Sequence, residues 1–172
     1  MIHNLDKFIR DIPDFPKPGI LFKDITTLLK DKSAFKKAIN LLAKPYINKK
    51  IDFVVAVEAR GFIFAGALAY KLNAGFIPVR KKGKLPHKTH AVTYDLEYGT
   101  DTLEIHQDAL EKNSRVLIFD DLLATGGTVK AVTELVEKLG AKLQGISFLI
   151  ELGFLNGRKK IGKYPINALI KY

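Results

Sequence analysis

The stretch VLIFDDLLATGGT, residues 116–128, decides the fold of this chain. It begins with four apolar residues and continues directly into Asp120 and Asp121, as expected where a buried parallel strand reaches the edge of a sheet. A Gly-Gly-Thr turn then leads into a helical pattern, and the N–H groups at a helix N-terminus favour a phosphate group. Ligands of open α/β sheets bind beyond the carboxyl ends of the strands. The stretch therefore predicts a strand, a phosphate-binding loop and a helix around a ligand site.

Two common nucleotide-binding motifs are absent from the sequence. It has neither a GxxxxGKS/T Walker loop, since Lys130 follows the threonine, nor a GxGxxG dinucleotide fingerprint. The remaining alternative is a tight strand–helix turn capped by an aspartate, which the full pattern of residues 116–128 disfavours.

Strand-length apolar runs alternate with amphipathic helical patterns along the rest of the chain, which predicts an α/β fold. The predicted strands are residues 51–59, 75–79, 115–121 and 143–152, and the predicted helices are residues 33–44, 61–72 and 128–141. Ser33 is the expected N-cap of the first helix, and Gly140 is the expected end of the third. Residues 115–152 form a βαβ unit with a right-handed crossover.

Residues 80–106 have a different, more polar composition. Alternating apolar residues on either side of a Gly99-Thr100 turn predict a hairpin. A long polar insertion in an α/β domain favours a functional lid.

The composition limits the class of protein. The 172 residues predict a single domain, without cysteine and without a segment long and apolar enough to cross a membrane. We therefore expect a soluble, cytoplasmic protein. The net charge of +10 comes mainly from scattered lysines, which favours a solvated surface over a nucleic-acid site and suits an anionic substrate.

Three further stretches are candidates for binding. In VEARGF (57–62), Arg60 offers a planar cationic fork beside open backbone N–H groups, which suits a diphosphate, although an exposed arginine in a connection is the alternative. VRKKGKLPHKT (79–89) is either a phosphate-binding or a solvated basic loop, and FPKPGILFKDIT (15–26) could be a simple N-terminal brace. His87 and His90 lack a third ligand at useful spacing, so no metal site is predicted there.

Together these stretches resemble the type I phosphoribosyltransferases, and EARGF and the FPKPGILF segment resemble the adenine phosphoribosyltransferases among them. The resemblance covers essentially the whole chain. It implies a twisted, mostly parallel sheet flanked by helices, with an N-terminal hood (1–32) and a flexible hairpin lid (81–106). It also implies a non-proline cis peptide bond between Glu58 and Ala59.

The resemblance assigns a role to each candidate residue. The ribose and its transition state would face Asp120 and Asp121, and the catalytic loop would carry Glu97 and Tyr98. The 5′-phosphate would be held by Ala124, Thr125, Gly126, Gly127 and Thr128. The diphosphate would be held by Glu58, Ala59, Arg60, Gly61, Arg80 and Lys84. Adenine would contact Leu21, Phe22, Lys23 and Leu122, with Lys23 standing where the family often has arginine.

The reaction implied by the resemblance converts adenine and 5-phosphoribosyl 1-diphosphate to AMP and diphosphate, a step of purine salvage. Mg²⁺ would be held mainly through the substrate, and the protein would be a homodimer with no membrane or nucleic-acid partner. Two alternatives stay open. One is a non-catalytic regulator that senses phosphoribosyl diphosphate and binds nucleic acid, and the other is an enzyme of the same fold for another purine base.

Overall fold

The computed structural model describes residues 4–95 and 99–172. Within them the strands are β1 (Arg10–Ile12), β2 (Phe22–Asp24), β3 (Phe53–Val57), β4 (Gly75–Lys81), β5 (Thr89–Asp95), β6 (Thr100–His106), β7 (Arg115–Leu123), β8 (Lys142–Glu151) and β9 (Ile166–Lys171). The α-helices are α1 (Thr26–Lys30), α2 (Lys32–Ala43), α3 (Arg60–Leu72), α4 (Gly127–Lys138) and α5 (Arg158–Ile161). Short 3-10 turns cover Asp6–Phe8, Lys44–Tyr46 and Gly153–Leu155.

Seven strands form one sheet in the order β5-β6-β4-β3-β7-β8-β9. The five strands from β4 to β9 in this order are parallel, which confirms the mostly parallel sheet expected from the sequence. β6 runs antiparallel to β4, and β5 runs antiparallel to β6. The predicted hairpin is therefore also an extension of the sheet, joined to it where Arg80 pairs with Glu104 and Lys81 with Leu103.

Helices cover both faces of the sheet, which explains why its central strands are apolar without interruption. Successive residues of a strand point to opposite faces, so each strand contributes to two core layers. One layer packs α2 and α3 against the sheet and includes Leu42, Phe64, Leu68, Val54, Ala56, Leu117 and Phe119. The other packs α4 against it and includes Val132, Leu135, Val136, Val55, Val57, Val116 and Ile118.

The predicted helices are present, but the first one is capped differently from our expectation. Asp31, and not Ser33, is the N-cap of α2, because its carboxylate accepts the N–H groups of Ser33 and Ala34 at 2.9 and 2.8 Å. Either residue type suits this position, and the carboxylate two residues earlier satisfies both free N–H groups. The third helix ends as expected near Gly140, whose φ is +75°.

The N-terminal region forms a separate two-stranded ribbon. β1 and β2 pair antiparallel, with Asp11 opposite Lys23 and Ile12 opposite Phe22. Arg10 donates to Asp24 across the ribbon at 2.6 Å, and the Thr27 hydroxyl donates to the Phe8 carbonyl at 2.6 Å. The ribbon lies where the hood was expected, and we call β1, β2 and their connection the hood ribbon.

Candidate active site

The carboxyl ends of β3 and β7 lie side by side, because these strands are parallel neighbours. β3 leads into Glu58 and Ala59, which are joined by a cis peptide bond as the resemblance implies, and α3 begins at Arg60. β7 carries Asp120 and Asp121 near its end. Two stretches that are distant in the sequence thus meet at one edge of the sheet.

Arg60 connects the acidic pair to the hood ribbon. Its guanidinium donates to Oδ2 of Asp121 from Nε at 2.6 Å and also from a terminal nitrogen. Its central carbon lies 4.9 Å from the centroid of the Phe22 ring, which is a cation–π contact. Asp121 is only 7% exposed, so this charge-assisted pair is well shielded from water.

The two carboxyl groups of the acidic pair have different surroundings. Oδ1 of Asp120 accepts the backbone N–H of Asp121 at 2.9 Å, and it lies 3.3 Å from the point where a Cβ on Gly61 would stand. Burial, followed by the negative charge of Asp121, raises the pKa of Asp120 well above its usual value. Asp121 faces a cation, whereas Asp120 holds a proton more readily.

The loop after β7 forms a narrow concave site at the start of α4. Gly126 has a φ of +82°, and the helix begins at Gly127, so the free N–H groups of its first turn border the loop. A cavity of about 60 Å³ is lined by Asp120, Leu122, Leu123, Ala124, Thr125, Gly126, Thr128, Val129 and Phe148. Four of the five predicted phosphate-loop residues therefore share one cavity with Asp120, and Gly127 lies in the adjacent one.

Gly157 supports this loop from below. A Cβ on Gly157 would stand 2.2 Å from the Ala124 carbonyl oxygen, and a Cβ on Gly126 would stand 2.4 Å from the Gly157 carbonyl oxygen. The backbones of the two segments thus touch directly, and only glycine fits at either position. The supporting segment is itself fixed, because Arg158 donates to both carboxylate oxygens of Glu151 at 2.5 and 2.6 Å.

Glu58 holds the basic residues that were predicted to bind diphosphate. Its carboxylate accepts the Lys81 N–H at 2.8 Å, Nη2 of Arg80 at 2.9 Å and Nζ of Lys84 at 3.4 Å. Burial opposes ionisation, but the Lys81 bond and the two cations outweigh it and leave the pKa of Glu58 below its usual value. The structure thus brings Glu58, Arg80 and Lys84 together, beside the edge that carries Arg60.

The hood ribbon closes an almost entirely apolar cavity of about 320 Å³, lined by Ile12, Phe15, Phe22, Asp24, Ile25, Thr26, Leu29, Arg60 and Ile63. The Phe22 and Phe15 rings form a T-shaped contact, with centroids 5.1 Å apart. Of the four predicted adenine-binding residues, only Phe22 lines this cavity. Leu21 is 49% exposed, and Leu122 lines the smaller phosphate-loop cavity.

The hairpin of β5 and β6 contacts the phosphate loop at the start of α4. The Thr128 hydroxyl donates to the Tyr94 hydroxyl at 3.4 Å, and burial raises the pKa of Tyr94. A cavity of about 310 Å³ between hairpin and α4 is lined by Thr93, Tyr94, Asp95, Gly127, Lys130, Ala131, Glu134 and Lys160. The predicted catalytic-loop residues Glu97 and Tyr98 lie outside the described residues.

Comparisons with known proteins identify the family of this chain. A family model described as phosphoribosyl transferase domain matches residues 26–170. An adenine phosphoribosyltransferase of Brachyspira hyodysenteriae is 61% identical over 168 residues, which are 98% of this chain and 99% of that protein.

The chain belongs to the adenine phosphoribosyltransferase family. A solved adenine phosphoribosyltransferase from Thermoanaerobacter pseudethanolicus is 55% identical, covers both chains completely and superimposes with a TM-score of 0.96. The Saccharomyces cerevisiae protein, solved with D-2,5-dideoxy-2,5-imino-altritol 1,6-bisphosphate and adenine, is 42% identical over 96% of each chain, with a TM-score of 0.91. The expected fold class and family are thereby confirmed.

Two residues of the candidate site, Asp24 and Gly157, were not found by sequence reasoning. Asp24 lines the cavity of the hood ribbon and accepts hydrogen bonds from Arg10 and from the Thr26 N–H at 2.9 Å. Gly157 supports the phosphate loop, and its place in the turn-like sequence LNGRKK is the only signal that could have indicated it.

No preformed metal cluster of three or more His, Cys, Asp or Glu side chains occurs among residues 4–95 and 99–172. His87 packs against His106, with ring centroids 6.1 Å apart. Within the same ranges, no helix has both the length and the apolar character needed to cross a membrane.

Proposed function

We propose that this family member transfers the 5-phosphoribosyl group from 5-phosphoribosyl 1-diphosphate to adenine, forming AMP. N9 of adenine bonds to ribose C1′, the C1′–oxygen bond to diphosphate breaks with its electron pair leaving on diphosphate, and the N9 proton is released. The observation that carries this proposal is Arg60, which links the acidic pair to Phe22 at the edge of the sheet. One side chain thereby joins candidate subsites for sugar, diphosphate and base.

Asp120 and Asp121 are proposed to face the ribose ring. Carboxylates accept hydrogen bonds from sugar hydroxyls and favour the positive charge that develops on the ring as diphosphate leaves. Burial and the neighbouring Asp121 raise the pKa of Asp120, whereas the Asp121 carboxylate is paired with Arg60.

The two phosphate ends of the substrate are proposed to bind on opposite sides of this pair. The backbone N–H groups of residues 124–128 suit the 5′-phosphate, because they border the start of α4. Arg60, Arg80 and Lys84, with backbone N–H groups around Ala59 and Gly61, suit the diphosphate. These cations are paired with Asp121 and Glu58, so the diphosphate would compete with these carboxylates for them.

Adenine is proposed to bind beside Phe22. The cavity there is large enough for a purine and is lined mostly by apolar groups. Leu122 would approach the base from the side of β7, and the backbone of Leu21 and Lys23 would offer hydrogen bonds to its edge. Since Arg60 lies against the Phe22 ring, movement of Arg60 towards the diphosphate would free that face for stacking.

Mg²⁺ is the proposed cofactor, and when bound it would neutralise charge on the leaving diphosphate. Mg²⁺ prefers oxygen ligands, and Asp120 and Asp121 are the carboxylates at this edge that fit it. Asp121 already faces Arg60, which supports a site completed mainly by substrate oxygens. The hairpin with Glu97 and Tyr98 is proposed to close over the site and exclude water.

The decisive experiment measures product formation from 5-phosphoribosyl 1-diphosphate and Mg²⁺ with adenine, hypoxanthine, guanine and xanthine in turn. We expect AMP from adenine and far slower reaction of the other bases. Turnover of hypoxanthine without turnover of adenine would contradict the proposal. Tight binding of nucleic acid in a gel-shift assay, with no AMP formed, would favour the regulator instead.

A cytoplasmic homodimer is proposed as the active form. The absence of cysteine is compatible with a reducing compartment. Ile63 and Tyr70 lie seven residues apart on the same side of α3 and are 47% and 91% exposed, so a second copy of the chain could cover them. Sedimentation equilibrium tests the dimer, and the variant Tyr70→Glu should weaken it.

A further inference from the structure

The two sides of strand β2 have different surroundings. Phe22 and Asp24 both line the cavity of the hood ribbon, together with Arg60. Lys23 stands between them. Because successive side chains of a strand point to opposite faces, its side chain points away from the cavity. Lys23 therefore does not line the cavity in which adenine is proposed to bind.

On that far side, the Lys23 ammonium group is enclosed by two partners. Nζ donates to Oδ1 of Asp11 at 2.7 Å and lies 3.6 Å from the centroid of the Tyr172 ring. Lys23 is only 7% exposed, which is unusual for a lysine and requires such partners. Asp11 is the cross-strand neighbour of Lys23, so this contact lies within the hood ribbon. The contact with Tyr172 joins the ribbon to another part of the molecule.

Tyr172 is anchored to the main sheet. Its N–H donates to the Glu151 carbonyl at 3.0 Å, and its own carbonyl accepts the Gly153 N–H at 2.8 Å. Burial, with smaller contributions from Asp11 and Asp6, raises the pKa of Tyr172, so its ring remains a neutral phenol at neutral pH. The ring thus offers a fixed π face to Lys23.

A two-stranded ribbon is marginal by itself and needs packing against the rest of the molecule. The contact of Lys23 with Tyr172 joins the face of β2 that points away from the cavity to the residue that follows β9. Phe22, the residue before Lys23, lies on the opposite face of the strand and lines the cavity. A shift of β2 away from Tyr172 would therefore also move Phe22 relative to Arg60, which lies 4.9 Å from the centroid of its ring.

We infer that Lys23 is a positioning residue that clamps the hood ribbon to Tyr172 and thereby sets the affinity for the purine base. The inference rests on the proposed function, because it assigns the base to the cavity beside Phe22. Lys23 acts through Phe22 and through the backbone of β2, and its ammonium group does not touch the base. Arginine can replace lysine in this role, since it also forms ion pairs and stacks on aromatic rings.

The test compares steady-state kinetics of the wild type with Lys23→Met, Lys23→Arg, Tyr172→Leu and Tyr172→Phe. Lys23→Met and Tyr172→Leu remove the clamp, and we expect the KM for adenine to rise about tenfold, with kcat and the KM for 5-phosphoribosyl 1-diphosphate changed less than about twofold. Lys23→Arg and Tyr172→Phe keep a cation and a ring and should stay near wild type. Lys49→Met is the matched control, because Lys49 also lies over a tyrosine ring, at 5.2 Å from Tyr46.

Hydrogen exchange provides a readout that does not depend on activity. The amides of Arg10–Ile12 and Phe22–Asp24 should exchange faster in Lys23→Met than in the wild type, and Lys23→Arg should restore their protection. Unchanged exchange in Lys23→Met, or an unchanged KM for adenine, would overturn the inference. A Lys23→Arg variant as impaired as Lys23→Met would also overturn it, because a cation placed between Asp11 and the Tyr172 ring would then not be enough to hold the ribbon. Failure of the wild type to form AMP would instead reject the proposed function, while hydrogen exchange would still test the clamp.

Discussion

The candidate site has a phosphate end, at residues 124–128, and a base end, at the cavity beside Phe22. Backbone atoms form the first, and side chains form most of the second. At the phosphate end the walls are backbone, since Gly126 and Gly157 bring two segments into direct contact beneath the loop. At the base end the walls are side chains on a two-stranded ribbon, above all Phe22 with Arg60 against its ring.

This difference shows how two parts of one substrate can be recognised by different means. A phosphate group is the same in every substrate of this kind, and a rigid array of N–H groups suits it. A purine base is distinguished by shape and edge, and side chains on a ribbon can be exchanged without rebuilding the backbone. A small substitution at the phosphate end should therefore impair substrate binding more than a substitution of similar size at the base end.

The largest expected effect comes from Asp121→Asn, because Asp121 and Arg60 join the two ends. Loss of the charge should lower kcat/KM about 100-fold by weakening stabilisation of the positive transition state. The melting temperature should fall as well, because Arg60 loses its shielded partner, but the loss of activity should be the larger effect. Normal turnover with a large drop in melting temperature would mean that Asp121 is structural.

The next largest effect is expected from Gly126→Ala at the phosphate end. The new Cβ would meet the Gly157 carbonyl oxygen at 2.4 Å, and a φ of +82° is strained for alanine. We expect the KM for 5-phosphoribosyl 1-diphosphate to rise about 30-fold, equivalent to about 2 kcal/mol, with a loss of unfolding free energy as well.

Gly162→Ala separates the clash from the backbone strain in that experiment. Gly162 has a φ of +75° but nothing within 4 Å of the added Cβ. Its variant should lose about 1–2 kcal/mol of stability and keep its kinetic constants. Equal kinetic effects of both substitutions would contradict the role given to the contact with Gly157.

A smaller effect is expected from Phe22→Leu at the base end. Removing the ring that stacks on the base should raise the KM for adenine about tenfold, because base–aromatic stacking contributes about 1–3 kcal/mol. The KM for 5-phosphoribosyl 1-diphosphate should not change. Phe154→Leu is the control, since Phe154 is 70% exposed and does not line the cavity. Equal changes in both KM values would show that the two ends are not independent.

The smallest effect concerns the pH dependence of the hood ribbon. The Thr26 N–H and then Arg10 lower the pKa of Asp24 from 3.8 to about 2. Because the folded pKa is depressed, the stabilisation is present above pH 3.8 and is lost as the pH falls towards 2. Thermal unfolding of Asp24→Asn should therefore differ from wild type at neutral pH and converge with it between pH 4 and 2. A difference that persists at pH 2 would contradict this origin.

Asp52→Asn is the control for that experiment. The pKa of Asp52 is also lowered to about 2, chiefly by Arg115, but Asp52 lies before β3, away from the hood ribbon. Its variant should show a similar approach to wild type in acid. Only Asp24→Asn should also alter the KM for adenine, because only Asp24 lines the cavity.

The central sheet and the phosphate loop could be predicted from the sequence, because burial on both faces leaves uninterrupted apolar runs and because the loop is local. β9 was missed, since INALIK is short and follows a proline without a clear period. β2 was missed because a strand of three residues, FKD, has too few positions to reveal an alternation. Without that strand, the direction of the Lys23 side chain could not be derived.

The ion pairs of the site could not be predicted, although their residues could. Arg60 and Asp121 are 61 positions apart, and the resemblance assigned them to different parts of the substrate. Glu58 was assigned to the diphosphate, yet its carboxylate holds Arg80 and Lys84. Such pairings depend on which strands become neighbours and on rotamers, which no local pattern contains.

The contact between Gly126 and Gly157 also limits how this protein could be redesigned. A larger pocket for a bulkier phosphorylated sugar cannot be made by changing residues 124–128 alone, because their underside is occupied by another backbone. The segment around Gly157 is fixed in turn by the pair of Arg158 with Glu151. A redesign would have to change the loop, Gly157 and the pair of Arg158 with Glu151 together.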